Sequence, residues 1–260
     1  MTTLKTFIFL LIITSFATAD EVWNSYSEIL SKGVVQLNYT GPYGDFSHNA
    51  FDYKTLKNDA LSKKLIAKQI EILANYSPPS NRFEKLAFWI NAYNFYTIVD
   101  VLNNMPVKSM KDIGWKNRHH IVGGKKYSLD DIEHKIIRPM HDPRIHFAVN
   151  CASVSCPGLK KTIFTAQGVR LELTQQTKEA FKNPLHIRPD GSDVEVTKLL
   201  DWFADDFKIS IYKDREGFVK KFAPAKLQKE IDGWIDYNWE LNSSDNIKKA
   251  TQKLGLTLKK

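Results

Sequence analysis

Cysteine is nearly absent from this chain, which carries only Cys151 and Cys156. A fold stapled by several disulfides is therefore excluded. Long uncharged apolar runs are also missing after residue 20. Nothing there approaches the ~20 residues that cross a bilayer as a helix, so no transmembrane span is expected. There is no Gly-rich phosphate loop and no Gly-x-Ser-x-Gly elbow, which argues against nucleotide-dependent and serine-hydrolase chemistry. Arginine is scarce beside lysine. The net charge of +8 comes mainly from lysines scattered along the chain. Such a pattern reads as a solvated surface, so no nucleic-acid partner is expected. His119, His120, His134, His141 and His146 lack a standard zinc spacing, and His119-His120 reads as the solvated edge of a hairpin. Neither a metal nor a cofactor is expected. Internal repeats and low-complexity blocks are missing as well.

What is present begins with a leader. Lys5, an apolar stretch from Phe7 to Phe16, and Ala17-Thr-Ala19 before Asp20 read as a secretory signal peptide over residues 1–19, cleaved after Ala19. The mature chain is expected to be secreted or periplasmic. Over all 260 residues, 43% hydrophobic and 25% charged residues suit a packed core rather than disorder.

The pattern along the chain predicts an α+β fold in a single domain over residues 20–245, followed by a lysine-rich, poorly anchored tail over 246–260. Helical spacing covers Glu21 to Ser31. Residues 36–53 read as a loop, and a helix is predicted from Tyr53 to Ala74. The strongest helix runs from Glu84 to about Asn103 and is apolar nearly all round, which marks it as buried. Within it, Asn91 and Asn94 share a face and flank Tyr93. They either pin a neighbouring loop or line a cleft, and buried amides need partners in both cases. Gly123-Gly124 predicts a tight hairpin, and Ser128 with Asp131 a capping box. Thr165 is expected to cap a helix running to Phe181. A second hairpin surrounds Pro189-Asp-Gly-Ser192, and helices are predicted over Lys198–Phe207 and Phe218–Trp234.

Both cysteines fall in the segment from Arg144 to Gly158, where an apolar run over Ile145–Asn150 reads as a strand leading into a small-residue loop. Strand alternation would put Ile145, Phe147, Val149 and Cys151 on one face and His146 and Asn150 on the other. Pro157 suits the first position of a helix or turn, which would place Cys156 at a cap where backbone N–H groups favour a thiolate. Cys156 is then the candidate nucleophile, with His146 or His134 as base and Glu133 or Asn91 in support. Tyr93, Asn94, Asn150, Cys151, Ser153 and Ser155 are candidate binding residues. The alternatives stay open: a Cys151–Cys156 bridge closing a short loop, one reactive thiol, or two inert thiols.

Five stretches together resemble the DUF547 family: Leu86-Ala-Phe-Trp-Ile-Asn-Ala-Tyr-Asn94, Tyr127 to His134, Arg144 to Pro157, Trp202 to Phe207, and Tyr237-Asn-Trp-Glu-Leu-Asn242. The resemblance implies a fold more than a reaction. Members are often exported bacterial proteins, and related domains fused to glutaredoxin-like modules hint at thiol chemistry. Asn38 to His48 departs from the family pattern as an insertion. The expected activity is a thiol-dependent hydrolase or acyl transferase acting on a small-molecule or peptide ligand. The alternatives are a non-catalytic extracellular binding module with a Cys151–Cys156 disulfide, or a thiol-redox protein.

Overall fold

The computed structural model describes residues 20–259, so the leader expected over residues 1–19 lies outside the described residues. Its organising element is the apolar helix anticipated from sequence. It spans Arg82–Asn104, starts where Asn81 accepts a hydrogen bond from the Phe83 N–H, and is buried continuously from Leu86 to Leu102. With apolar residues on every side it can pack on all faces, and elements from both sides of the chain enclose it.

In chain order the elements are α1 (Asn24–Gly33), β1 (Val34–Thr40), β2 (Phe46–Phe51), α2 (Tyr53–Asn58), α3 (Ala60–Asn75) and α4 (Arg82–Asn104). Then come β3 (His120–Val122), β4 (Lys125–Tyr127) and α5 (Leu129–Asp131), which runs into a π-helical turn over Ile132–Ile137. Next are α6 (Val169–Ala180), β5 (Ile187–Asp190), β6 (Asp193–Thr197), α7 (Leu199–Trp202) and α8 (Ala204–Lys208). The chain closes with α9 (Arg215–Phe222), β7 (Ile231–Ile235), α10 (Ser244–Gln252) and β8 (Thr257–Leu258). The small sheets are ordered β2-β1-β8, β3-β4 and β5-β6-β7. Pairing is antiparallel except between β6 and β7. The architecture is α+β, with short strands and hairpins packed around a central buried helix.

Several local expectations are corrected. Residues 36–53 hold a hairpin rather than a loop, registered Val34↔Phe51 through Tyr39↔Phe46. Val34, Leu37 and Tyr39 are buried on it, but the Asn, Gln and Gly residues around them mask the alternation. The helix expected over 53–74 breaks at Asp59, whose extended backbone and side-chain bond to the Ser62 N–H start α3 afresh. The helix credited to Thr165 begins later, at Val169. The segment 198–207 is split at Phe203 into α7 and α8. The helix expected over 218–234 stops at Phe222 ahead of Pro224, and the chain re-emerges as β7 in the β6 sheet. The tail is anchored: α10 buries Ile247 and Thr251, and β8 pairs with β1. His120, expected at a solvated edge, is buried on β3 while its neighbour His119 is exposed.

Three hydrophobic clusters result: one around α4, one built on Phe147, Phe181, Phe207 and Phe218, and one under the β1–β2 hairpin. The 3-10 turn Pro143–Phe147, opened by the Asp142 side chain bonding the Arg144 N–H, joins the first two. Ile145 belongs to the α4 cluster and Phe147 to the second. This turn replaces the strand expected over 145–150. All but one of its residues are buried, so apolar spacing there carries no strand period.

Two histidines are buried here, His48 of β2 and His186 just ahead of β5, with rings 6.2 Å apart. His48 Nδ1 takes a hydrogen bond from the Asn183 amide, leaving Nε2 without a partner, and both nitrogens of His186 are unpaired. Burial lowers the pKa of His48 to about 4. Burial, helped by a charge on His48, lowers that of His186 to about 3. An unfolded histidine titrates near 6.5, so between these values the unfolded chain binds protons that the native state refuses. Their contribution is complete above about pH 6.5 and is lost as pH falls towards about 4 and then about 3. Resistance of the native chain to urea should therefore fall steeply as pH drops through that window, and a His48→Gln/His186→Leu variant should show a flatter profile. Parallel profiles would refute the assignment.

Candidate functional site

Side-chain amides hold the cysteine loop from behind. Asn94 of α4 donates to the Ala148 carbonyl (2.9 Å) and accepts from the Asn150 N–H (2.7 Å). Asn150 in turn donates to the Pro157 carbonyl (2.8 Å) and accepts from the Ala152 N–H (2.9 Å). The Asn242 amide also reaches Asn150 Oδ1 (3.2 Å), and the Tyr53 hydroxyl donates to Asn242 Oδ1 (2.8 Å). Asn150 therefore spans the loop as an internal strut, and Ala152 turns through a left-handed conformation at φ 59°. The segment 238–242 lies against the other side of the loop. Val154 N–H donates to the Glu240 carbonyl, the Asn238 N–H donates to Ser155 Oγ, and the Asn242 N–H donates to the Ala152 carbonyl. Each buried amide left without its partner would cost about 1–3 kcal/mol, so the loop is held in one arrangement.

Within it Cys151 and Cys156 are joined as a disulfide, with Cα atoms 6.2 Å apart. Cys156 is 2% exposed, whereas Cys151 is partly exposed, so the candidate nucleophile is the less accessible of the two. No helix follows Pro157, so no helix dipole acts on Cys156. Instead its sulfur accepts the Cys151 N–H at 2.9 Å. The Tyr237 hydroxyl lies 3.1 Å from the Cys151 sulfur and 3.3 Å from that of Cys156. Ser153 Oγ is 3.4 Å from the Cys151 sulfur.

Both cysteines open on a cleft of about 210 Å³. Its apolar wall is aromatic: Trp202 packs on Tyr237 (4.8 Å) and Trp239 (5.6 Å), and Trp115 meets Trp239 edge-on (5.8 Å). Its polar wall comes from the α5–π turn and the 3-10 turn, and includes Asp130, Glu133, His134 and His146. Glu133 accepts a hydrogen bond from Tyr93, whose hydroxyl is pushed far up, first by burial and then by the Glu133 charge. Tyr237 is raised by the same two causes in the same order. Both phenols keep their protons at neutral pH and act as donors.

His146 Nε2 meets Asp206 at 2.8 Å, and its ring stacks on Phe203 at 3.9 Å. Its other nitrogen, Nδ1, is buried without a partner. Arg138 grips the same Asp206 through two bonds of 2.7 and 2.9 Å. Burial works against the Asp206 charge, but the bonds from His146 and Arg138 outweigh it and hold the carboxyl well below the usual range. His134 Nδ1 faces the Arg138 guanidinium at 3.0 Å, so it accepts that bond, and Nε2 turns towards Asp130 at 3.8 Å.

Of the residues singled out from sequence, Cys151, Cys156, His146, His134, Glu133 and Tyr93 line the cleft together. Asn94, Asn150, Ser153 and Ser155 build the loop behind it. Asn91 pins the backbone of Phe164 in both directions, at 2.8 and 2.9 Å. The sequence reading missed Tyr237 and the tryptophans as cleft residues. Tyr237 was visible only as part of the Tyr237-to-Asn242 signature, 86 positions from Cys151.

No curated protein and no solved structure matches this chain. Residues 79–180 match the family model described as "Protein of unknown function, DUF547". The match takes in α4, the β3–β4 hairpin, the polar wall and both cysteines, while Trp202, Asp206 and Tyr237 lie beyond it. Over residues 79–180, the chain is therefore similar to the DUF547 family.

Proposed function

We propose that the protein exchanges disulfides with a dithiol held in the aromatic cleft, and that it does so outside the cytosol. The observation that carries this reading is the Tyr237 hydroxyl lying against both sulfurs of a disulfide that opens on the cleft. A substrate thiolate attacks the sulfur of Cys151, the more accessible of the two. The Sγ–Sγ bond breaks and its electron pair leaves on Cys156, where the Cys151 N–H and the Tyr237 hydroxyl stabilise the thiolate. The second substrate thiol then attacks the substrate sulfur of the mixed disulfide and expels Cys151. In sum, the dithiol becomes a disulfide and Cys151 and Cys156 become thiols, with two hydrogens transferred. A disulfide of the same chemical class restores the protein by the reverse steps. Glu133, in the opposite wall, is positioned to take up the proton of an incoming thiol, and the tryptophans suit a peptide or similarly flat apolar partner.

A second reading is favoured by the free Nδ1 of His146 in the cleft-lining set. Here reduced Cys156 acts as an acyl-transfer nucleophile with His146 or His134 as base. Among the described residues, the polar groups that touch the sulfurs are Tyr237, Ser153 and the Cys151 N–H, which supports exchange over acyl transfer. Export rests on the sequence of residues 1–19 and agrees with a disulfide in an oxidising compartment. The exported protein should begin at Asp20 on N-terminal sequencing; an N-terminus still carrying residues 1–19 would refute cleavage after Ala19.

Trapping separates the two readings. With Cys156→Ser, Cys151 should form a mixed disulfide with oxidised glutathione, seen by intact mass. With Cys151→Ser, the buried Cys156 should do so at least ~10-fold more slowly. Equal rates, or a stable acyl adduct on Cys156 of the reduced protein, would overturn the exchange reading. Tyr237→Phe should slow reduction of the native disulfide by dithiothreitol about tenfold, the equivalent of ~1.4 kcal/mol in the barrier. An unchanged rate in a folded variant would remove Tyr237 from the mechanism.

A further inference from the structure

Away from the cleft, Asp100 sits on α4 within its apolar stretch and is 2% exposed. A carboxylate buried there is costly unless it is paired or bound to a cation. Two imidazoles reach it: His119 Nε2 lies 2.8 Å from Oδ1, and His120 Nε2 lies 3.1 Å from Oδ2. Consecutive residues of a regular strand face opposite ways. Here the His119 N–H bonds back to the Asn117 carbonyl just before β3 begins, and both rings turn to the same carboxylate. Their centroids are 4.0 Å apart. The arrangement is held from outside the cluster. The His120 ring stacks on Tyr96 at 4.2 Å, and the Tyr96 hydroxyl bonds the Ile121 carbonyl at 2.7 Å, strapping the hairpin to α4 at this point.

We infer that Asp100, His119 and His120 form a binding site for a divalent transition-metal ion of the zinc class. One ligand atom from each lies within 4.8 Å of the others. Zinc bonds of about 2.0–2.1 Å set tetrahedral ligand atoms roughly 3.3 Å apart, so a small outward shift of the rings converts two hydrogen bonds into a coordination shell. Two neutral imidazoles and one carboxylate leave a net negative charge for the cation to neutralise. The donor set is too nitrogen-rich for calcium or magnesium and suits zinc, cobalt, nickel or copper. The fourth direction opens on the side of His119, whose side chain is 52% exposed, so a water or an external ligand completes the shell. Adjacent histidines with a carboxylate 19 positions upstream follow no zinc-motif spacing, which is why the sequence reads as a plain hairpin edge.

The test uses the full-length protein with its disulfide intact, which keeps both cysteine sulfurs from acting as thiolate ligands. Zinc is titrated against a chromogenic chelator, and cobalt is then loaded to read visible absorption from its coordination. The expected result is one zinc per chain, a rise in melting temperature on binding, and a tetrahedral cobalt spectrum, with no response to calcium or magnesium. His119→Ala, whose ring is exposed and whose loss leaves the hairpin packed, should weaken zinc binding at least ~10-fold. Asp100→Asn should do the same. His141→Asn, at an exposed position remote in sequence, should bind zinc as the native chain does. Failure of the native protein to bind zinc saturably, or zinc binding retained by a folded His119→Ala, would overturn the site.

Discussion

The rest of the candidate site depends on the side-chain amide of Asn150. One group closes the loop from Ala152 to Pro157, receives Asn242 from the C-terminal region, and has its own backbone N–H held by Asn94 of the buried helix. A loop of small residues has little intrinsic stiffness, and the apolar core cannot supply direction. Hydrogen bonds to a buried amide supply it, because each unmet donor or acceptor is penalised in a low-dielectric interior. The disulfide adds a covalent tie to a geometry these bonds already define. Replacement of Asn150 would release the cysteines, the Tyr237 contact and the 238–242 segment together.

The cleft lies on a seam. The α4 cluster supplies the polar wall and the loop, and α7 and the irregular segment following β7 bring Trp202, Tyr237 and Trp239. His146 crosses this seam on a 3-10 turn, with Ile145 in one cluster and Phe147 in the other. Its bond to Asp206, which Arg138 also grips, ties α8 to the turn by charge rather than by packing alone. Charge-assisted bonds of this kind are short and directional, which suits a seam whose two sides must keep register.

Legibility in the sequence followed the range of the interaction. The buried helix, the Gly123-Gly124 hairpin, the Ser128–Asp131 capping box and the β5–β6 hairpin are local, and each carries its own signal. The run Ile145–Asn150 misled because a 3-10 turn buried on nearly all sides shows the same apolar density as a strand. Assigning reactivity to Cys156 relied on that strand and on a helix after Pro157. Without them Cys156 is the more buried of the two cysteines that line the cleft and Cys151 the more exposed. The six residues that do meet in the cleft were found through their chemistry. Tyr237 was not, because nothing local to position 237 reports a sulfur 86 residues away.

That long reach sets an order of events. A chain made from its N-terminus completes both cysteines before the segment that flanks them exists, and folding proceeds on what has already emerged. Until residues 237–242 dock, the loop lacks the Tyr237 hydroxyl, the Glu240 and Asn238 carbonyls and the Asn242 amide. The sulfurs therefore pass through a stage in which they pair, or fail to pair, without the environment that later governs them. A late-arriving segment of the chain acts as the latch on its most reactive part.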